Sequence, residues 1–386
     1  MIYVFFISLF LILWHNLFYW VTLILLFTVR KLNYDIYIDR INLPYVSLII
    51  AVHNEEKVIE KKVINALSLD YPNEKFEIIF ASDNSTDKTN EIISDYAKKY
   101  NNIKLFNVEK RGGKVNAYNE AMKITKGKIL AFSDANTFWE KDSLLKLIGS
   151  LQNEDVSCAC GRLIYTNTDE SKIAYSEGLY WKLENTLKEA ESSFYSLTAL
   201  NGGIYAIKRA DYIFIDPLYS HDLCFPLLLA TKKKRTIFVK NAIAFERSST
   251  TSTDEVKRKT RMFGRIYSFI FKNLSLFFNP FKYDFRFFVS VFSHRTIRYF
   301  LPLLHLLLLI SSFVLYSHGL SYKIATFIQV FFLLLAMLSI LTKHRFKLLV
   351  LPYYYLLFLI TMVIGFINFV TKRIKPYWES AETTRL

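Results

Sequence analysis

Cysteine is scarce in this sequence: Cys158, Cys160 and Cys224 are the only three in 386 residues. They form no metal-ligand set with a partner pair. Cys158 and Cys160 alternate on a strand-like run, which reads as packing thiols in a reducing compartment. There is no glycine-rich dinucleotide fingerprint and no Walker-type phosphate loop, which disfavours a dehydrogenase or a P-loop ATPase. A basic-aromatic RNA-reading motif is also missing. The formal charge of +15 therefore does not indicate nucleic acid, and a basic membrane protein facing anionic lipid accounts for it. Charge is absent altogether from Met1 to Val29. A bilayer span needs roughly 20 apolar residues. This stretch starts on Met1-Ile2-Tyr3 and exits through Arg30-Lys31, without the basic start and small-residue exit of a cleaved signal. It predicts an uncleaved transmembrane anchor.

What is present is apolar: 52% of the residues, with a mean hydropathy of +0.20. Three more runs, about Tyr299 to Tyr316, Ile324 to Leu341 and Leu348 to Val370, are too long and too close together to share a soluble core. Between Arg30 and about Leu274 charges occur throughout, as in an ordinary α/β domain. The predicted layout is an anchor (1–29), a catalytic-type domain (44–265), an interfacial amphipathic region (266–298), C-terminal transmembrane helices (299–371) and a basic tail (372–386). Within the amphipathic region, Phe269 to Phe292 mixes Phe with Lys272, Lys282 and Arg286, which suits helices in the lipid headgroup layer. Arg30 and Lys31 follow the first span, and Arg295 and Arg298 precede the second. The positive-inside rule then predicts a multi-pass protein of the cell membrane with its domain in the cytoplasm. The same rule conflicts with itself further on. Lys343-His344-Arg345-Lys347 and Lys372-Arg373-Lys375 are both basic, yet a single crossing separates them. Either one segment is re-entrant, or Phe269 to Phe292 contributes more than surface contact.

Within the domain, Val46 to Val52 (VSLIIAV) is a continuous apolar run, the pattern of a strand buried on both faces. Helical spacing from Val58 to Leu69 stops at Asp70-Tyr71-Pro72-Asn73. Strands follow at Phe76 to Ala81, Ile103 to Asn107 and Lys128 to Ser133, with helices between them. This alternation predicts βαβ units and a Rossmann-like, largely parallel sheet. Ligands bind such sheets beyond the carboxyl ends of the strands. Those ends carry His53-Asn54-Glu55-Glu56, Ser82-Asp83-Asn84-Ser85-Thr86-Asp87 and Ser133-Asp134-Ala135-Asn136. Each loop alone is weak, since Asn and Asp favour turns and caps; three acidic loops at successive strand ends are harder to dismiss.

The stretches VSLIIAVHNEE, SDNSTDKT, KRGGKVNAYNEA and ILAFSDANT, continuing through GRLIY, NGGIYAIKR, HDLCFPLLL and DEVKRKTRMFGR, resemble the family 2 glycosyltransferases with the GT-A fold. The resemblance covers about Pro44 to Ile270 and is closest to the membrane-bound branch of cellulose, chitin and poly-N-acetylglucosamine synthases. It implies an inverting transferase that moves a sugar from a nucleotide-sugar, with UDP as the expected nucleotide. The acceptor would be a growing glycan or a lipid-linked one, in cell-envelope, capsule or exopolysaccharide synthesis.

By that resemblance Asp83 grips the nucleoside, with Glu55 beside the base and Asp87 a cap or supporting residue. A carboxylate suits uracil N–H and ribose hydroxyl donors. The family's Asp-x-Asp motif holds Mg²⁺ or Mn²⁺ against the leaving diphosphate. Here it reads Asp134-Ala135-Asn136, so one negative charge is lost. Asn136 either supplies a carbonyl oxygen or merely turns the chain. Arg111-Gly112-Gly113-Lys114 offers backbone N–H groups and the Lys114 charge to the diphosphate; an exposed basic turn is the alternative. The family's catalytic base falls on Asp222, whose neighbour His221 either tunes it or faces solvent. Asn201-Gly202-Gly203 frames the acceptor. The processive synthases' Gln-x-x-Arg-Trp motif is replaced by Arg258-Lys259-Thr260-Arg261. Arg258 or Arg261 is a candidate diphosphate clamp, while Lys257 and Lys259 read as lipid-facing. Loss of the Trp weakens processive synthesis and leaves single-step transfer to a polyprenyl-linked acceptor as an alternative. A non-catalytic membrane scaffold is the alternative from another class. The bundle is small for a closed channel unless it recruits a membrane partner or forms a homo-oligomer.

Overall fold

A computed structural model describes residues 1–30, 40–342, 347–377 and 382–385. Lys31, Lys343, His344 and Arg345, used above for membrane orientation, lie outside the described residues. The chain opens on α1 (Ile2–Thr28), an apolar helix of 27 residues. The domain then runs β1 (Val46–Val52), α2 (Ile59–Leu67), β2 (Phe76–Ser82), α3 (Thr89–Lys99), β3 (Ile103–Asn107), α4 (Lys114–Ala121) and β4 (Ile129–Asp134). It continues through β5 (Phe138–Trp139), α5 (Ser143–Ser150), β6 (Val156–Tyr165), α6 (Lys172–Phe194), β7 (Tyr205–Lys208), α7 (His221–Thr231), β8 (Arg235–Glu246) and α8 (Ser252–Lys272). Three apolar helices follow: α9 (Phe285–Val314), α10 (Leu320–Leu341) and α11 (Lys347–Val370). Including α1, four helices among the described residues are long and apolar enough to cross a membrane.

The eight strands form one sheet in the order β3-β2-β1-β4-β7-β6-β8-β5. The β3-β2-β1-β4 half is parallel, as its continuous apolar runs predict. In the other half β7 runs antiparallel to both β4 and β6, while β6 and β8 are parallel. All seven residues of β1 are buried, because both faces are covered. Leu48 and Ile50 pack with Ile59 and Val63 of α2 on one side. Ile49 and Ala51 pack with Val115 and Tyr118 of α4 on the other. The register sets Val52 opposite Ser82 and Ala51 opposite Asp134, so the polar loops after β1, β2 and β4 emerge along one edge.

The membrane-type helices are not a separate bundle. α11 runs parallel to α8, with ring contacts between Phe263 and Phe358 (5.2 Å), Tyr267 and Phe366 (5.4 Å), and Phe271 and Phe369 (5.2 Å). The helices approach closely where a Cβ on Gly264 would stand 3.4 Å from the Gly365 carbonyl oxygen. Met362 of α11 is buried in the same core as Phe225 and Phe263. α1 joins the assembly through Tyr19 and Leu23, which pack on Leu187 and Ala190 of α6.

Two readings of the basic residues are corrected. The second apolar helix begins at Phe285 rather than Tyr299, and Arg295 and Arg298 lie inside it rather than before it. Both are buried and paired with Glu184 of α6 at 3.1 Å. They tie the helix to the domain instead of facing lipid headgroups. Lys259 is likewise buried, held by Glu177 at 3.3 Å and Glu255 at 2.9 Å. A buried charge requires a partner at short range, and Glu177 arrives from 82 residues away. Only Lys257 of that pair is exposed.

Candidate active site

The loops after β1 and β2 are welded together. Asn54, in the left-handed region at φ 53°, accepts from the Thr86 N–H at 2.8 Å. Asp87 accepts from the Thr89 and Glu56 N–H groups, which gives it a capping role at the start of α3. Asp83 is fully buried, and its two carboxylate oxygens accept from the Gly112 and Gly113 N–H groups, each at 2.8 Å. Gly113, at φ +88°, adopts a backbone that side-chain-bearing residues avoid, and this turn presents both amides to one carboxylate. Glu55 is buried and forms a two-pronged pair with Arg385, at 2.8 and 2.5 Å.

A cavity of about 220 Å³ opens beyond β4. Lys114, Asp134, Gly202, Asp222 and Arg258 line it, so five of the residues singled out from the sequence meet there. Lys114 pairs with Asp134 and donates to the Gly202 carbonyl at 3.2 Å. Burial opposes the Lys114 charge, but Asp134, Tyr118 and Asp222 outweigh it and hold the ammonium protonated. Asp222 sits half-buried in the first turn of α7. Burial pushes its carboxyl above the ordinary value; Lys114 works against that shift and Asp134 with it. Gly202 has no room for a side chain, since a Cβ there would stand 2.6 Å from Asp222 Oδ1.

His221 neither faces solvent nor carries charge. It is buried among Tyr118, Phe132, Tyr205 and Phe225, with Nδ1 2.7 Å from the Tyr205 hydroxyl. Burial, then Lys114 and Arg265, hold its pKa well below the usual value.

Asn201 and Arg261 lie off the cavity wall. Asn201 is fully buried, accepting from Lys188 and donating to the Gly161 carbonyl at 2.6 Å, so it braces the Asn201-Gly202-Gly203 loop from behind. Arg258 reaches the cavity but is tied to Glu177 at 2.7 Å and Glu255 at 2.9 Å. Arg261 is less committed: burial, Arg265, Arg258 and Arg385 pull its pKa down to about 10.

Three residues not singled out from the sequence belong to the site. Glu246, ending β8, accepts from Asn136 and Thr137, both at 3.1 Å. Burial and then Asp134 push its carboxyl up to about 7. Lys62 lies beneath the Asp134 loop, donating to Ser133 at 2.7 Å, and burial draws its pKa down to about 7. Lys188 is buried in α6, lines the cavity and lies over the Trp181 ring at 4.9 Å. The only available signal for it was the spacing of Glu184, Lys188 and Glu191 on one face of a long helix.

Among the described residues no group of three or more His, Cys, Asp or Glu forms a metal cage. The arrangement nevertheless fits a hard divalent cation. Asp134 faces the cavity, and Glu246 close behind it is raised by the Asp134 charge, a repulsion that a cation would relieve. Mg²⁺-type sites commonly use one or two carboxylates and complete their shell with substrate phosphates. Asn136 donates to Glu246 through its amide nitrogen, which leaves its carbonyl oxygen, the atom a cation would take, out of that bond.

Residues 47–213 match the family model described as glycosyl transferase family 2. This is a family 2 glycosyltransferase domain. The transferase domain is 31% identical over 170 residues to a beta-monoglucosyldiacylglycerol synthase of Nostoc sp., covering 44% of this chain and 36% of that protein. It is 35% identical over 162 residues to a dolichyl N-acetyl-alpha-D-glucosaminyl phosphate 3-beta-D-2,3-diacetamido-2,3-dideoxy-beta-D-glucuronosyltransferase of Methanococcus voltae, covering 41% of this chain and 46% of that protein. The chain thus matches less than half the length of either relative. A mannosyltransferase of Pyrobaculum calidifontis, solved with GDP-Man and Mn²⁺, superposes with a TM-score of 0.71 over 96% of this chain and 99% of its own, at 18% identity. That likeness establishes the fold, a GT-A-type α/β domain with apolar helices.

Proposed function

We propose that the chain is a membrane-embedded inverting glycosyltransferase that moves a sugar from a nucleotide-sugar to a lipid-linked acceptor. One observation carries this reading: a single cavity joins the polar pair Asp222 and Asp134 to Tyr299 and Phe358 on the apolar helices α9 and α11. A donor entering over the strand ends and an acceptor rising from the membrane side would meet beside Asp222.

Asp222 takes the proton of the acceptor hydroxyl as that oxygen bonds to the anomeric carbon. Its elevated pKa makes it a stronger base than an exposed carboxylate, and the Lys114 charge opposes that rise. The leaving diphosphate accumulates charge beside Lys114 and the Gly112–Gly113 turn. A divalent cation, Mn²⁺ or Mg²⁺, held at Asp134 with Glu246 in support, would neutralise charge on that group when bound. Glu55 and Asp83 orient the nucleoside. Two relatives named for a diacylglycerol lipid and a dolichyl phosphate support a lipid-type acceptor, and the cavity's contact with α9 and α11 agrees. UDP is the nucleotide to test first, with GDP beside it.

The packing of α11 supports one membrane arrangement. Its parallel alignment with α8 and the return of Arg385 to Glu55 keep both ends of α11 on the side of the transferase domain. With α11 lying along the domain, and α1, α9 and α10 crossing, the basic residues after α11, Lys372, Arg373 and Lys375, share the face of the domain. The positive-inside rule makes that face cytoplasmic. Phe281 and Phe285, 94% and 68% exposed beside Lys282 and Arg286, suit contact with the headgroups.

The test is nucleoside diphosphate release by detergent-solubilised full-length protein, given UDP- and GDP-sugars, Mn²⁺ and polyprenyl phosphate or diacylglycerol acceptors. Release with one donor, lost in Asp222→Asn and with a chelator, is expected. Silence across the panel from folded protein favours the scaffold alternative.

A further inference from the structure

The groups assigned to the donor are already engaged inside the chain. Asp83 is held by Gly112 and Gly113, Lys114 by Asp134, and Glu55 by Arg385. The last contact comes from beyond α11 and is not isolated. Pro376 and Tyr377 press on the Gly113 turn so closely that a Cβ on Gly113 would collide with the Pro376 carbonyl. The Arg111 guanidinium lies over the Tyr377 ring at 4.8 Å. Thr383 donates to Asp254 at 2.8 Å, which fixes the backbone just before Arg385 at the start of α8.

Arg385 pairs with Glu55 on the nucleoside side of the donor site. Its charge is sustained by Glu55 first and then by Glu246 and Asp134, so it feels carboxylates on both the nucleoside and the diphosphate side. A diphosphate entering there meets Glu55, Asp134, Asp222 and Glu246, and needs cations. Lys114 is one, and Arg385, already paired with Glu55, is another. A guanidinium presents a planar fork of N–H donors that fits a carboxylate or a phosphate equally well.

We propose that Arg385 is a donor-binding residue contributed from beyond α11. Glu55 holds it before the donor arrives, and it passes to the diphosphate when the nucleotide-sugar binds. The exchange frees the Glu55 carboxylate for the base and ribose and folds Thr383–Arg385 over the bound donor. This rests on the nucleotide-sugar reading above.

Calorimetric titration of the solubilised full chain with UDP, GDP, uridine and guanosine tests it, using wild type, Arg385→Ala and Arg385→Lys. Arg385→Ala should weaken the preferred diphosphate about tenfold, the worth of a charge-assisted pair. The matching nucleoside should bind as well or better, because Glu55 no longer has to be released. Arg385→Lys should fall between. Equal weakening of diphosphate and nucleoside, no change, or tighter diphosphate binding in Arg385→Ala each overturns the proposal; the last makes the segment a plug. Failure of wild type to bind any diphosphate overturns the donor reading and this proposal together.

Discussion

Replacing Gly202 by Ala isolates the placement of the catalytic carboxylate from its chemistry. The added methyl would stand 2.6 Å from Asp222 Oδ1 and 3.1 Å from Cγ. Ordinary contact begins near 3.4 Å, so the carboxylate must retreat by about 0.8 Å. Gly202 does not occupy the positive-φ region, so the backbone itself resists little. Overpacking of this size costs about 1–3 kcal/mol, which leaves a folded protein. Displacing a catalytic group by roughly 1 Å can cost about 100-fold in rate, so kcat should fall by about that factor with donor affinity little changed. The assay is nucleoside diphosphate release at saturating donor beside a thermal melt, with Gly319→Ala as control, whose Cβ would meet nothing nearer than 3.6 Å. In Asp222→Asn the base is already lost, and adding Gly202→Ala should reduce the rate no further. A Gly202→Ala enzyme keeping a third of its kcat, or an additive double variant, refutes the placement of Asp222.

Two further outcomes concern pH. Lys188 lowers the Asp222 pKa that burial raises, and Asp222 acts only when ionised, so activity is lost as pH falls through that pKa. Lys188→Met should move the acidic limb of kcat/KM to higher pH; a limb that keeps its midpoint while the amplitude drops would give Lys188 a structural role alone. His221 is held well below its ordinary 6.5 by burial, so the folded state takes up a proton less readily than the unfolded chain. Its contribution to stability is complete above about pH 6.5 and is lost below it, by about 1.4 kcal/mol per pH unit. His221→Phe should flatten that acid slope in denaturant titrations, and an unchanged slope would show His221 protonating freely.

The parallel half of the sheet was legible because doubly covered strands are written as near-continuous apolar runs, VSLIIAV and the IIFA of FEIIFAS among them. The acidic loops were legible because those strands end together, and the motif order located Asp134 and Asp222 in one cavity. What escaped were partners distant in sequence. Nothing local announces that Glu177 will reach Arg258 and Lys259, or that Glu184 will take Arg295 and Arg298, so Lys259 looked lipid-facing, Arg258 looked like a diphosphate clamp, and Arg295 and Arg298 looked like the basic flank of a span. Glu246 and Lys62 escaped because each sits in an unremarkable strand or helix and matters only through Asp134. The start of α9 was misplaced for a related reason: His294, Arg295 and Arg298 interrupt its hydropathy but are neutralised from α6.

The shared core of α8 and α11 bears on how this protein can be dissected. Phe263, Tyr267 and Phe271 owe their cover to Phe358, Phe366 and Phe369. A soluble fragment cut at the end of α8 would bare that aromatic face to water, and at about 25 cal/mol per Å² of apolar surface the penalty is large. Such a fragment should aggregate however well its sheet folds. Enzymology on this chain therefore belongs in detergent or nanodiscs, with α11 attached.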